Sequence, residues 1–308
     1  MIGRTLTMLA AVSSEFAAVT TPTGWRLAGQ VTSSLPAVMR RADSWLNEDL
    51  DAAESSFVDY SGAYKVQVVG PWTLAACLEL SNGDRSLRDA GAVDDLRGAL
   101  AQAVRDHLAA LRRRLPNATF FVQFDEPLVN RVLEGSVPTP SGFAAYQPVD
   151  AAVVVAGLRE LAGVVRDDDA IPGVHNCSAH AHLALHRSAG FEFVSMDLAL
   201  ASGLSAQERS TSDQELGELL DAGDLLLAGL SSRQGREPSP EATLVPLTSL
   251  LSRLGVPIES VVDQLVLTST CGFAGMESLA NVRAVISELS AAGRALRDER
   301  VANDGGDS

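Results

Sequence analysis

His175 and Cys177 stand two residues apart at the end of the run Ile171-Pro172-Gly173-Val174. On an extended strand, residues i and i+2 project to the same side, so an imidazole and a thiol leave this strand end together. That is a ready pair of zinc ligands, because zinc accepts sulfur and imidazole nitrogen, although a His-x-Cys pair alone is a weak signal. The same pair also occurs as a half-buried histidine beside a core cysteine. Cys271 adds weight to the metal reading. In Thr268-Ser269-Thr270-Cys271-Gly272 it sits where another strand gives way to a glycine loop. Two thiolates and one imidazole give three protein ligands and leave zinc an open position. Asp197, in Ser195-Met196-Asp197, is a candidate fourth ligand at a further strand end, with a helix cap or a hydrogen-bond anchor as the alternative.

Asp125-Glu126-Pro127 is the second constellation. Adjacent carboxylates at a strand end face different directions, so one of them can receive a cationic group such as an α-ammonium. A turn opened by a capping aspartate is the plainer alternative. The other titratable residues read as structural. Cys77 lies in an apolar helical stretch and is expected in the core. His180, His182 and His186 fall at the start and in the body of a short helix, where solvation or capping is expected, and His107 is expected on a helix surface. Arg112-Arg113-Arg114 closes a helix, where the dipole favours cations.

The elements that must position these groups alternate. Strands are expected at 64–70, 119–124, 171–177, 191–198, 224–230 and 264–270, and 24–27 is a plausible seventh. Helices are expected at 93–115, after a cap at Asp150, at 180–189, 214–222, 247–254 and 276–297, with a Pro/Ser-rich loop at 231–240. Repeated β-then-α units imply parallel strands with right-handed crossovers. The fold class is therefore α/β, a (β/α)₈ TIM barrel lacking or irregular at its first strand. No G-x-G-x-x-G or P-loop marks a doubly wound sheet instead. Residues 1–300 are expected to form a single barrel domain and 301–308 a flexible tail.

Composition narrows the partners. The 308 residues carry a formal charge of −15, with 46% hydrophobic and 20% charged residues, the balance of a folded domain. An acidic chain without a basic stripe is not expected to bind nucleic acid. No apolar run reaches the roughly 18–20 residues of a membrane span. The first twelve residues imitate a signal peptide only faintly, since their apolar stretch is short, threonine interrupts it, and no A-x-A site follows. Three cysteines do not form a disulfide framework and suit a reducing compartment, so a cytoplasmic location is expected.

Taken together, the segments Val66-Gln67-Val68-Val69-Gly70-Pro71-Trp72-Thr73, Gln123-Phe124-Asp125-Glu126-Pro127, His175-Asn176-Cys177, Val194-Ser195-Met196-Asp197 and Cys271-Gly272 resemble the catalytic domain of cobalamin-independent methionine synthase. That family belongs to the superfamily that also holds uroporphyrinogen decarboxylase. The resemblance implies a barrel with Zn²⁺ at its mouth and homocysteine as methyl acceptor. His175, Cys177 and Cys271 match the family's zinc ligands, and Asp197 falls where the family has a glutamate ligand. Asp125 matches the aspartate that receives the homocysteine amino group. Glu126 and Ser195 are expected to contact substrate on the same grounds.

The chain departs from the family in three ways. It lacks the initial strand with its Gly-Ser-[Phe/Trp]-Pro turn, and a start upstream of Met1 or a strand from a partner is expected to fill that place. Gly229-Leu230-Ser231-Ser232 has no match for the family's histidine near the seventh strand. The N-terminal barrel of the long methionine synthases is absent. The methyl donor therefore stays open between methyltetrahydrofolate and methylcobalamin or a corrinoid protein. The alternatives are methyl transfer to another thiol and a catalytically degenerate zinc-binding barrel. A tetrapyrrole decarboxylase ranks lower, because no arginine cluster falls at a strand end.

Overall fold

The computed structural model describes residues 1–29, 34–230, 239–270, 272–273 and 276–304. These divide into two units, Met1–Val174 with Ser188–Phe191, and His175–Arg187 with Glu192–Ser308. The first unit opens with α1 (Ile2–Val12), β1 (Ala18–Thr21), β2 (Gly24–Leu27) and α2 (Ala37–Ser56). It continues with β3 (Ala63–Val69), α3 (Pro71–Cys77), β4 (Leu78–Glu79), α4 (Ala90–Arg114), β5 (Thr119–Asp125), α5 (Val129–Glu134), α6 (Ala151–Asp167) and β6 (Ile171–His175), whose last residue begins the second unit. The helical stripe read from the sequence is the buried face of α4, where Val93, Leu96, Leu100, Val104, Leu108 and Leu111 are all buried. Each fully buried leucine of that stripe contributes about 2 kcal/mol. Asp89 caps α4 by accepting from the Gly91 and Ala92 amides, and Asp150 caps α6 through Ala152 as expected.

β3 and β5 pair in parallel, with Lys65 opposite Phe121, Gln67 opposite Gln123 and Val69 opposite Asp125, and β6 follows β5 in the sheet. Among the described residues no β-strand precedes β3 in this sheet. The Gly70 amide donates toward β5, to the Asp125 carbonyl, so the neighbouring Val69 N–H points to the outer edge of β3. There it donates to Thr5 Oγ1 of α1 at 3.1 Å. A helix hydroxyl thus satisfies an edge donor at the end of the strand that carries the site.

Residues 24–27 form a strand but not a seventh barrel strand. β2 pairs antiparallel with β1 and parallel with β4 in a separate three-stranded sheet, order β1-β2-β4. The physical cause is Glu79 of β4, whose side chain is fully buried. It accepts from Arg26 Nε at 2.9 Å and Nη2 at 2.7 Å, and from Thr23 Oγ1 at 2.6 Å. A buried carboxylate must be paired, and β2 supplies the partners. These hydrogen bonds, with the charge of Arg26 and of Arg85, hold Glu79 below the usual carboxylate range against its burial.

The second unit contains α7 (Leu183–Ser188, ending in the first unit), β7 (Phe193–Asp197), α8 (Ala206–Asp221), β8 (Leu225–Leu230), α9 (Pro240–Leu254), α10 (Ile258–Val261), β9 (Leu265–Ser269) and α11 (Leu279–Asp304). β7 pairs in parallel with β8, and β8 with β9. The described residues therefore supply six strands in βα order, three per unit, rather than the eight of a closed barrel. Several boundaries move. α8 begins eight residues earlier than expected because Ser205 and Glu208 form a reciprocal capping box. The expected helix at 180–189 starts only at Leu183, after His182, whose φ of 48° is not helical. Of the expected tail, residues 301–304 belong to α11 and 305–308 lie outside the described residues, as does most of the expected 231–240 loop. No single helix among the described residues is long and apolar enough to cross a membrane.

Candidate functional site

In the first unit, chemistry-bearing groups gather where β3 and β5 end. Asp125 is buried, with Oδ1 accepting from Gln123 Nε2 at 2.7 Å. Glu126 points elsewhere. Its side chain is fully buried at the N-terminus of α3, where Oε1 accepts from the Trp72 amide at 2.9 Å. Oε2 accepts from the Thr73 amide at 2.8 Å and the Thr73 hydroxyl at 2.7 Å. The first turn of a helix leaves amides unsatisfied, and Glu126 supplies acceptors for two of them. Thr73 Oγ1 in turn accepts the Leu128 amide at 3.2 Å, tying the chain after β5 to α3. Gly70 makes the approach possible, since a Cβ there would lie 2.3 Å from Glu126 Oε1. Burial pushes Glu126 up to about 7 despite these hydrogen bonds, and the charge of Asp125 adds to the rise.

In the second unit, His175 and Cys177 are half-buried on either side of Asn176, which is wholly buried. Burial alternates over these three residues, but β6 ends at His175, so Cys177 follows the strand expected to run to 177 instead of lying on it. Asn176 anchors the turn: its amide donates to the Ser195 carbonyl at 3.1 Å, Nδ2 donates to the Ala181 carbonyl at 3.2 Å, and Oδ1 accepts the Ser178 amide at 2.9 Å. His175 Nδ1 lies 3.0 Å from the same Ser195 carbonyl and 3.1 Å from Ser195 Oγ. Nδ1 donates to the carbonyl when it carries the ring proton and accepts from the Ser195 hydroxyl when it does not. A metal-binding histidine is oriented in this way, its second nitrogen donating to a backbone carbonyl. The Ser195 carbonyl stands where such an acceptor would be. Asp197 closes β7 with Oδ1 accepting the Ala199 amide at 2.8 Å.

Among the described residues no three His, Cys, Asp or Glu side chains come together as a metal cluster, and Cys271 lies outside those residues. His175 and Ser195 are brought together, and Asp125 and Glu126 adjoin in sequence but point to different partners. Cys77 is half-buried at the end of α3, where burial raises its thiol.

No protein family model matches the sequence, and no curated protein does. Solved structures do. A B12-independent methionine synthase from Shewanella sp. W3-18-1, in complex with selenomethionine, matches 91% of this chain over 72% of its own, at 15% identity and a TM-score of 0.58. The likeness is one of fold. A D-psicose 3-epimerase from Clostridium cellulolyticum H10, with D-tagatose, matches 84% of this chain and 83% of its own at 14% identity, with a TM-score of 0.38, too low to carry an argument.

Two histidines differ from their expected settings. His107 is half-buried in α4 rather than on its surface, and burial, then the charge of Arg114, lowers it to about 4. His186 is wholly buried rather than solvated, and burial, then His182, lowers it to about 3. Unfolded, both rings titrate near 6.5, so below that pH the unfolded chain binds more protons and stability is lost as pH falls. Glu126 acts with the opposite sign. Its contribution is full below its unfolded value of 4.5 and is lost as pH rises to about 7. Two protons against one predict stability that climbs from pH 4.5 to a maximum near 7. Denaturation curves at pH 4 to 8 check this, with His186→Leu expected to flatten the acid limb by about one proton. Unchanged limbs in both His107→Leu and His186→Leu would overturn the assignment.

Sequence reasoning missed the anchoring work of Asn176 and Thr73, and the part Lys65 plays beside Asp125. Only Lys65 carried a legible signal, since strand alternation puts it on the face of Gln67 and, through the register, of Gln123.

Proposed function

We propose that this chain is a zinc-dependent methyltransferase that carries a methyl group to a thiol, with homocysteine as acceptor and methionine as product. The observation that carries the reading is the His175 ring at a strand end, its Nδ1 tied to the Ser195 carbonyl, with Cys177 two residues on. His175, Cys177 and Cys271 are the proposed protein ligands. Asp197 is the proposed fourth, through the carboxylate whose Oδ1 also accepts the Ala199 amide. Bound zinc would keep the acceptor sulfur as a thiolate at neutral pH, where a free thiol with a pKa of about 8.5 is mostly protonated. Ser195 orients His175, and the family resemblance offers Asp125 as the contact for a substrate amino group. Glu126 holds the start of α3 behind it. The fold shared with a methionine synthase seen with selenomethionine supports an amino-acid substrate. Chemistry that depends on reduced thiols suits the cytoplasm.

The test is methyl transfer to homocysteine by zinc-replete protein, from methyltetrahydrofolate and from methylcobalamin side by side. Methionine formed from either donor is the expected result, and none from both overturns the reading. A second reading, a zinc-holding barrel without catalysis, is favoured by an aspartate at 197 where the resembled family has a glutamate. Cobalt-substituted protein separates the two, because its thiolate-to-metal absorption grows on adding homocysteine only if the acceptor reaches the metal.

A further inference from the structure

Of the 24 lysine and arginine residues only one is lysine, Lys65. It lies in β3, and the pairing of Lys65 with Phe121, Gln67 with Gln123 and Val69 with Asp125 puts these six residues on one face of the β3–β5 pair. Inward layers of a barrel are dominated by branched apolar side chains, whereas this face carries an ammonium, two amides and a carboxylate. Three of them form a chain. Lys65 Nζ donates to Gln123 Oε1 at 3.0 Å, and Gln123 Nε2 donates to Asp125 Oδ1 at 2.7 Å. An ammonium only donates and an ionised carboxylate only accepts, so the amide between them has a single orientation. Lys65 is exposed as a residue, yet desolvation around its head group lowers its pKa, with Asp125 pulling the other way. An arginine fork matches carboxylates in a bidentate manner, whereas a point ammonium on a flexible stem is suited to a single amide oxygen.

We propose that Lys65 is a positioning residue: acting through the Gln123 amide, it sets the orientation and charge of the Asp125 carboxylate that receives the ammonium group of the substrate. The ligand part of this inference rests on the amino-acid reading above, while the relay itself does not. The experiment therefore has two arms, run on wild type, Lys65→Met and Lys65→Arg after confirming equal melting temperatures.

In the first arm, the side-chain amide resonance of Gln123 is followed against pH by NMR in glutamine-labelled protein. In Lys65→Met the pH at which this signal responds to Asp125 rises by about one unit, the lower end of what a neighbouring opposite charge does. In the second arm, binding of L-homocysteine is compared with that of 4-mercaptobutanoate, which lacks the amino group. Lys65→Met weakens homocysteine about tenfold, the size of one charge-assisted hydrogen bond, leaves the analogue unchanged, and moves the acid limb of homocysteine binding to higher pH. Lys65→Arg restores both, since it keeps the charge and a donor. An amide signal that titrates identically in wild type and Lys65→Met overturns the proposal, as does equal weakening of both ligands. If wild type binds neither ligand, the amino-acid reading fails and the first arm alone decides the relay.

Discussion

Glu126→Ala lowers the stability of the first unit by about 3–6 kcal/mol, the cost of leaving three buried donors without an acceptor. The donors are the Trp72 and Thr73 amides and the Thr73 hydroxyl, all buried and all directed at this one carboxylate. Whole domains are stable by only about 5–15 kcal/mol, so thermal or urea melting will show a fall of about 10 °C or more, or no folded protein. Glu126→Gln separates shape from acceptor count. Its amide oxygen can serve the Thr73 pair, but its NH₂ then opposes the Trp72 N–H, so one donor is lost and the cost is about 1–3 kcal/mol. The glutamine variant also removes the loss of stability between pH 4.5 and 7 that the raised Glu126 produces. A Glu126→Ala protein that melts within two degrees of its parent would show that the carboxylate does not hold α3.

His175→Ala and Cys177→Ala each reduce zinc content from about one ion per chain to near none. Loss of a group that merely supports a ligand already weakens metal binding about 10- to 100-fold, and loss of a ligand costs more. Ser195→Ala is milder, about tenfold at most, because it removes the Oγ contact and leaves the backbone carbonyl that orients the ring. Cys77→Ala, at the end of α3 in the first unit, leaves zinc untouched. Metal analysis of the purified variants reads this gradient directly. Full zinc content in both His175→Ala and Cys177→Ala would sink the metal site, whatever the activity assay shows.

What was legible in the sequence was local. Apolar residues recurring every three or four positions located α4 and its buried face, and a glycine-proline break marked the end of β3. Period-two alternation predicted the burial of Asn176 between two half-buried neighbours, His175 and Cys177. These properties depend on backbone geometry within a few residues, which the order of side chains alone dictates.

The tertiary structure decided the partnerships made across long stretches of chain. Nothing near residue 126 says that its carboxylate serves amides at 72 and 73, more than fifty residues earlier, so a pair that reads as two candidate substrate contacts divides into one anchor and one candidate acceptor. Nothing near residue 24 says that Glu79 draws β2 into a separate sheet, so the residues that predict a strand there do not predict its neighbours. His186 was recognisable as part of a helix, but not as wholly buried. Strand pairing and the burial of a polar group are each settled by whichever distant segment supplies the missing donors and acceptors, and that choice is made only when the chain closes on itself.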